Sequence, residues 1–132
     1  MNRGEFQALT EVRVEDARAL LEAGRWAGAY YMIGYAVECA LKAAIARRTK
    51  EFDFPDKHVA NEAWSHRPGQ LLKLTDTKPP PQDSKLGLHW EAVRDWNEES
   101  RYEQRSRPEA KQLFEAVTDP VDGVLQWIRS FW

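Results

Sequence analysis

Three arginines, three glutamates and one tyrosine fall within ten consecutive positions, residues 98–107 (EESRYEQRSR). If a helix continues through this stretch, Arg101 and Arg105 lie one turn apart. Two guanidinium groups at that spacing could hold a phosphate through charge-assisted hydrogen bonds, with Tyr102 as a stacking or hydrogen-bonding neighbour. The alternative is a solvated connection between helices, because runs of mixed charge usually face water. Either way, the interspersed glutamates exclude a strong nonspecific surface for RNA.

A second pair of charges stands inside a long apolar stretch. Between Trp26 and Ala46 the only charged residues are Glu38 and Lys42, one helical turn apart and with the acid first, which is the favourable order. Burying either charge without a partner would be costly. Three interpretations remain open: the pair fixes the register of a buried helix, it meets a partner such as Arg101, or it faces a cleft. A contact between Glu38 and Arg101 is the functional alternative.

The histidines and the cysteine do not form a recognisable metal site. The spacing of His58, His66 and His89 is not typical of metal ligands, and Cys39 falls in the middle of a predicted helix. We therefore expect no metal and no cofactor. His66 stands just before a short predicted helix, where a hydrogen bond at the helix end is the simplest role for its side chain.

Composition limits the classes of protein that fit. A chain of 132 residues with 42% hydrophobic content and six tryptophans can bury one core, so we expect a single domain over residues 1–132. The net charge of −2 argues against broad electrostatic capture of nucleic acid, although a local basic patch remains compatible with it. The N-terminus lacks an apolar signal core, and the longest apolar stretch contains charges. These features predict a cytoplasmic protein that does not enter the membrane.

The apolar spacing predicts helices throughout the chain. Four residues fall on one face of a first helix: Val14, Ala17, Leu20 and Leu21. Thr10 is available as the N-cap of that helix, and Gly24 as the signal that ends it. The stretch from Trp26 to about Arg48 is apolar almost all round, as expected of a helix surrounded by other helices.

The second half of the chain predicts the remaining helices. Pro68 suits the first turn of a short helix that contains GQLLKL. A fourth helix is marked by apolar residues three and four apart: Leu86, Trp90, Val93 and then Trp96 or Asn97. Pro108 opens the last helix, which Pro120 either kinks or ends, in the latter case with Asp119 capping a further helix. Since no segment alternates with period two, we predict an all-α, up-and-down bundle of four to five helices.

Four blocks of this sequence, in this order, resemble the HEPN superfamily of small helical bundles. They are LLEAGRWAGAYYMIGYAVECALKAAIARR, HRPGQLLKL, WEAVRDWNEESRY and the closing amphipathic helix. The resemblance implies a four-to-five-helix bundle, commonly a homodimer, in many cases encoded beside a minimal nucleotidyltransferase. Many members are metal-independent endoribonucleases that act as toxins or in defence. Others bind nucleotides or partner proteins without cleaving them.

Active members of that superfamily carry an arginine followed, after four to six residues, by a histidine. Arg101 matches the arginine, but positions 106–108 hold serine, arginine and proline. Histidine suits general acid/base catalysis because its ordinary pKa lies near neutrality, whereas arginine cannot act as a base. The resemblance therefore implies an active site without its general acid/base. His66 resembles the family's His-Asp-Leu position, with Arg67 in place of the acid.

The sequence as a whole predicts a non-catalytic HEPN-like domain that binds a nucleotide, RNA or a partner nucleotidyltransferase, within a toxin–antitoxin or defence module. The expected ligand-binding residues are Arg101, Tyr102, Arg105, Glu38 and Lys42. Small and aromatic residues in the second and last helices also favour a homodimer. Two alternatives stay open. One is an active endoribonuclease in which Arg101 acts with a base supplied by His66 or by another group in a dimer. The other is a purely structural protein-interaction module.

Overall fold

The computed structural model describes residues 1–49 and 57–132, and all of their side chains except those of residues 57 and 58. The side chain of His58, considered above as a metal ligand, thus lies outside the described part. Within these ranges the helices are α1 (Arg3–Glu22), α2 (Trp26–Arg48), α3 (Lys57–Glu62), α4 (Pro68–Lys73), α5 (Lys85–Arg94), a 3-10 helix (Glu98–Tyr102), α6 (Arg107–Thr118) and α7 (Val124–Arg129). The predicted all-α class is confirmed. The described helices outnumber the predicted ones because the apolar spacing indicated neither α3 nor the 3-10 helix and left a separate α7 open.

The first helix begins earlier than predicted. Asn2 is its N-cap, and the Asn2 side chain and the Glu5 side chain each accept a hydrogen bond from the other's backbone N–H, both at 2.9 Å. This capping box satisfies two N–H groups that the first turn leaves without helical partners. The prediction of Thr10 as N-cap was wrong, because Thr10 is buried within the helix and its hydroxyl donates to the carbonyl of Phe6 at 2.8 Å.

The first two helices form an antiparallel hairpin. The chain turns at Gly24, whose φ of 74° lies in the left-handed region that glycine adopts without strain. Beyond the turn, Gly28 of α2 faces Leu20 of α1, and farther along the guanidinium of Arg13 lies 5.7 Å from the ring centroid of Tyr35. Residues later in α2 therefore contact residues earlier in α1, as in any antiparallel pair of helices.

Helix α2 is the centre of the fold, as its all-round apolar sequence predicts. It contacts α1, α4, the 3-10 helix, α6 and α7. Twelve of its residues are buried: Ala29, Ile33, Gly34, Ala36, Val37, Glu38, Cys39, Ala40, Leu41, Ala43, Ala44 and Ile45. A polar residue in the buried part of α2, such as Glu38, is consequently held among several helices. No helix in the described ranges is long and apolar enough to cross a bilayer.

Helix α5 is shorter than predicted. It begins after the N-cap Ser84, whose side chain accepts a hydrogen bond from the backbone of Gly87, and it ends at Arg94. Trp96 therefore lies beyond the helix, in the bend that leads to the 3-10 helix, and is only 3% exposed. This bend carries the chain across the face of α2.

Pro120 ends the last long helix rather than kinking it. After α6 the side chain of Asp119 accepts hydrogen bonds from the backbone N–H groups of Val121 and Asp122, both at 2.9 Å. Asp119 thus caps the turn, while Gly123 is the N-cap of α7. The prediction that Asp119 would cap the further helix was wrong by one turn.

Candidate functional site

One face of α2 carries a row of polar side chains, which we call the α2 stripe. Tyr31, Tyr35, Glu38 and Lys42 follow one another at intervals of four, three and four residues, so they lie above one another on the helix. The Tyr31 ring stacks on that of Trp96 with 5.7 Å between centroids and lies 6.1 Å from that of Tyr35. The stripe thus faces the bend and the 3-10 helix that follow α5.

Arg101 stands at the Tyr31 end of the stripe. Its side chain is exposed, and the guanidinium lies 4.8 Å from the ring centroid of Tyr102. A hydrogen bond with Tyr102, and a smaller contribution from Tyr31, raise the pKa of Arg101 above its ordinary value. Within the described residues no carboxylate forms an ion pair with this guanidinium. Arg101 is therefore a positive charge that is open to solvent and lies beside the ring of Tyr102.

Arg105 is engaged inside the chain. Its guanidinium pairs with the carboxylates of Glu103 and Glu109, at 3.2 Å in the second case, and it lies 4.2 Å from the ring centroid of Tyr30. The 3-10 helix ends at Tyr102, so no helical turn connects Arg101 with Arg105. The predicted clamp of two arginines on one helix is not formed, and the charge of Arg105 is already neutralised.

Position 106, where the family motif would require histidine, is the N-cap of α6. Ser106 is the N-cap, and its side chain accepts a hydrogen bond from the backbone N–H of Glu109 at 3.3 Å. In return Glu109 accepts from the backbone N–H of Ser106 at 3.1 Å, which lowers the pKa of Glu109. The next two residues, Arg107 and Pro108, form the first turn of the helix. None of these residues supplies a general acid/base.

Glu38 lies near the other end of the stripe and is 1% exposed. Its Oε1 atom accepts a hydrogen bond from Nζ of Lys42 at 3.2 Å, so the predicted pair is present. The same oxygen is also hydrogen-bonded to Nδ1 of His66, which precedes α4. The side chain of His66 therefore does not form the expected hydrogen bond at the end of a helix. It binds the carboxylate of Glu38 instead, 28 residues earlier in the chain. Sequence spacing alone gave no signal for this contact.

Arg101 and Glu38 do not meet. Arg101 interacts with Tyr31, and Glu38 is seven residues farther along α2, which corresponds to about 10 Å along the helix axis. The predicted contact between Glu38 and Arg101 is thus replaced by the contacts of Glu38 with Lys42 and His66. Within one chain the stripe presents a cation at one end and a carboxylate-bound histidine toward the other.

Two buried polar atoms in this region have no hydrogen-bond partner among the described residues. They are Oε2 of Glu38 and the indole Nε1 of Trp96. Trp96 packs directly on Gly34, one turn before Glu38, and a Cβ atom at Gly34 would lie 2.2 Å from the indole nitrogen. A buried unpaired donor or acceptor is costly, so its presence calls for an explanation. A functional role for the stripe is one such explanation.

Neither Cys39 nor His89 is placed for a chemical reaction. Burial, and secondarily the nearby carboxylate of Glu38, raises the pKa of the Cys39 thiol to about 12. The thiol is consequently protonated at neutral pH and is not a nucleophile. His89 uses Nδ1 in a hydrogen bond with the carbonyl of Asp122 at 2.8 Å. Across the described residues, no group of three or more histidine, cysteine, aspartate or glutamate side chains is placed to hold a metal ion.

Comparison with known proteins identifies the family. No curated protein and no solved structure matches the chain. A family model for the HEPN domain matches residues 10–131, which is nearly the whole chain and includes both ends of the α2 stripe. The all-α structure around a central α2 agrees with this match. The chain belongs to the HEPN family.

Proposed function

We propose that this HEPN protein binds the phosphate of a nucleotide or of single-stranded RNA at Arg101 and does not cleave it. The observation that carries the proposal is the state of Arg101, which is exposed, lies against the ring of Tyr102, and forms no ion pair with a carboxylate among the described residues. The other arginine of this stretch considered as a ligand-binding residue, Arg105, is occupied by two carboxylates.

The chemistry of Arg101 and Tyr102 suits a nucleotide with an unstacked base. A hydrogen bond to a charged group contributes about 1.5–3 kcal/mol. Base stacking on an aromatic side chain contributes about 1–3 kcal/mol per base. Tyr102 is 75% exposed, so one face of its ring is accessible for such stacking. Together the two residues favour a single strand over a duplex, whose bases are already stacked.

The expected absence of cleavage rests on the separation between Arg101 and His66, the candidate general base. A general base must come within hydrogen-bond reach of the proton that it removes. Ser106 stands in the position of the motif histidine and is engaged in the cap of α6. His66 is bound to Glu38, about 10 Å along the axis of α2 from the level of Arg101. We therefore expect a phosphate held at Arg101 to lie beyond hydrogen-bond reach of this imidazole within one chain.

The test is equilibrium binding of a fluorescently labelled single-stranded RNA, measured by anisotropy. Arg101→Ala should weaken binding at least about tenfold, which corresponds to about 1.4 kcal/mol. Arg47→Ala is the matched control, because Arg47 is also exposed and forms no ion pair among the described residues. The control should change affinity by no more than about twofold. Equal affinities for the two variants would refute the proposal.

Cleavage by His66 is a second candidate, which one observation favours. The buried carboxylate of Glu38 holds Nδ1 of His66, as an orienting carboxylate holds a catalytic imidazole, and leaves Nε2 as the second ring nitrogen. We expect purified protein to leave RNA intact in the presence of a chelator. Cleavage that persists under these conditions, disappears in His66→Ala and survives in His89→Ala would establish this second candidate instead.

Family membership also supports proposals about partners. We propose a homodimer in solution, and a minimal nucleotidyltransferase encoded by a neighbouring gene as the protein partner, in a toxin–antitoxin or defence setting. Co-purification of the two proteins after joint expression would support the second proposal. Separate elution at micromolar concentration would contradict it.

A further inference from the structure

A basic cleft lies between α4 and α5, apart from the α2 stripe. Its volume is about 590 Å³, which falls within the range of about 300–1,000 Å³ usual for small-molecule sites. Arg67, Lys73 and Arg94 line it, and Asp95 is the one acidic residue in the lining. The exposed ring of Pro79 provides an apolar part of the lining, whereas the indole of Trp90 is only 4% exposed and packs against Trp127. The lining thus combines cations with a small apolar surface.

The positive charges of the cleft are largely unpaired. Arg67 and Lys73 have no carboxylate partner among the residues that the structure describes. The Nε atom of Arg94 lies 3.7 Å from a carboxylate oxygen of Asp95, whose side chain is 88% exposed. An exposed pair of this kind contributes little, because water screens it. Three cations against one solvated carboxylate favour an anion with more than one negative charge.

One wall of the cleft is held in place by contacts behind it. The turn after α4 is tied to the end of α2, because Arg48 donates a hydrogen bond to the carbonyl of Leu74 at 2.6 Å and pairs with Asp76. Asp76 itself has a φ of 57°, a conformation that residues with side chains rarely adopt. Thr77, the next residue, lines the cleft. A wall fixed in this way lowers the entropy lost when a ligand binds.

We propose that this cleft binds a phosphate ester. Its phosphate would be held by Arg67, Lys73 and Arg94 through charge-assisted hydrogen bonds, and its organic part would lie against Pro79. The site goes beyond the function proposed for Arg101, since neither Arg101 nor any residue of the α2 stripe lines the cleft.

The experiment is calorimetric titration with adenosine monophosphate. Lys73→Gln combined with Arg94→Gln removes two positive charges from exposed positions and should weaken binding at least about tenfold. The control combines Arg47→Gln with Lys111→Gln, which removes two exposed charges elsewhere and should leave the affinity unchanged. Wild-type protein that does not bind adenosine monophosphate, or equal affinities for the two double variants, would overturn the proposal.

Further titrations separate the cleft from Arg101 and identify the ligand chemistry. Binding of adenosine monophosphate should persist in Arg101→Ala, and its loss there would show that the stripe is the site and the cleft is not. Adenosine should bind at least about tenfold more weakly than its monophosphate if phosphate is recognised. Inorganic phosphate should also bind more weakly, because it makes no contact with Pro79, and an equal affinity would overturn the assignment to an ester.

Discussion

Arg101 and Arg105 show how neighbouring residues of one type acquire different roles. Both belong to one charged stretch, but only Arg105 has carboxylates at bonding distance. The sequence could identify Arg101 as a candidate, because the family motif begins with arginine. It could not show that the 3-10 helix ends at Tyr102, which removes the helical relation between the two arginines. Short elements of this kind depend on tertiary contacts more than on local pattern.

Ser106 provides a prediction at this scale. Ser106→His places histidine at the motif spacing but removes the N-cap of α6, so unfolding should cost about 1 kcal/mol less than in wild type. We also expect no RNA cleavage, because the side chain at this position is directed to the first turn of α6. Ser106→Asp is the control, since aspartate is a good N-cap and should retain stability. Urea denaturation measures the first effect, and cleavage by Ser106→His would contradict the second.

At the scale of the helices, the sequence pattern predicted those helices whose bounds are determined by a long apolar stretch or by a proline in the first turn. The bounds of α2 are those expected from its apolar stretch, and Pro68 opens α4 as predicted. Asn2 followed three residues later by Glu5 is the pattern of a capping box, and it indicates the true start of α1 better than Thr10 does. Contacts such as that between Glu38 and His66 join residues far apart in sequence, so no local period indicates them.

The close packing of Trp96 against α2 can be tested by replacing the glycine that it contacts, Gly34, with alanine. Gly34→Ala would place a Cβ atom 2.2 Å from the indole nitrogen of Trp96, and overpacking of this kind costs about 1–3 kcal/mol. Gly28→Ala is the matched control on the same helix, where the nearest atom is 3.3 Å away in the side chain of Leu20. Replacing glycine with alanine gains at most about 1 kcal/mol of helix propensity at either position, which offsets the looser contact at Gly28 but only part of the overlap at Gly34. Chemical denaturation should show a loss for Gly34→Ala alone.

The turn between α6 and α7 should make stability depend on pH. Hydrogen bonds from the backbone N–H groups of Asp122 and Val121, with a smaller contribution from Lys85, lower the pKa of Asp119 from 3.8 to about 2. Since the folded pKa is depressed, this stabilisation is present above about pH 4 and is lost as the pH falls toward 2.

Asp119→Asn isolates the effect of that charge. The variant should be less stable than wild type at pH 7, and the difference in free energy of unfolding should shrink between pH 4 and pH 2. Denaturation curves for both proteins across this range provide the measurement. A difference that stays constant with pH would show that the charge of Asp119 is not involved.

For the whole molecule, the proposed homodimer needs an exposed apolar surface. Trp127, the aromatic residue of α7, is partly buried within the chain, where it packs against Trp90 and Phe131. Trp64 is instead 79% exposed, and large exposed aromatic side chains often anchor interfaces.

Light scattering at micromolar concentration should therefore give twice the chain mass of 15.3 kDa. Trp64→Ala should shift the equilibrium toward monomer. Leu88→Ala, which changes another exposed hydrophobic residue, should not. A mass near that of one chain for the wild-type protein across the concentration range would contradict the dimer.

The central claim is that Arg101 contacts the phosphate, and nuclear magnetic resonance can observe this contact directly. In protein labelled with ¹⁵N-arginine, the Nε–H signal of Arg101 is the one missing from Arg101→Ala. Titration with a short single-stranded RNA should shift this signal while that of Arg47 stays in place, and the RNA should remain full length. An unmoved Arg101 signal in a sample whose RNA is bound would contradict the account.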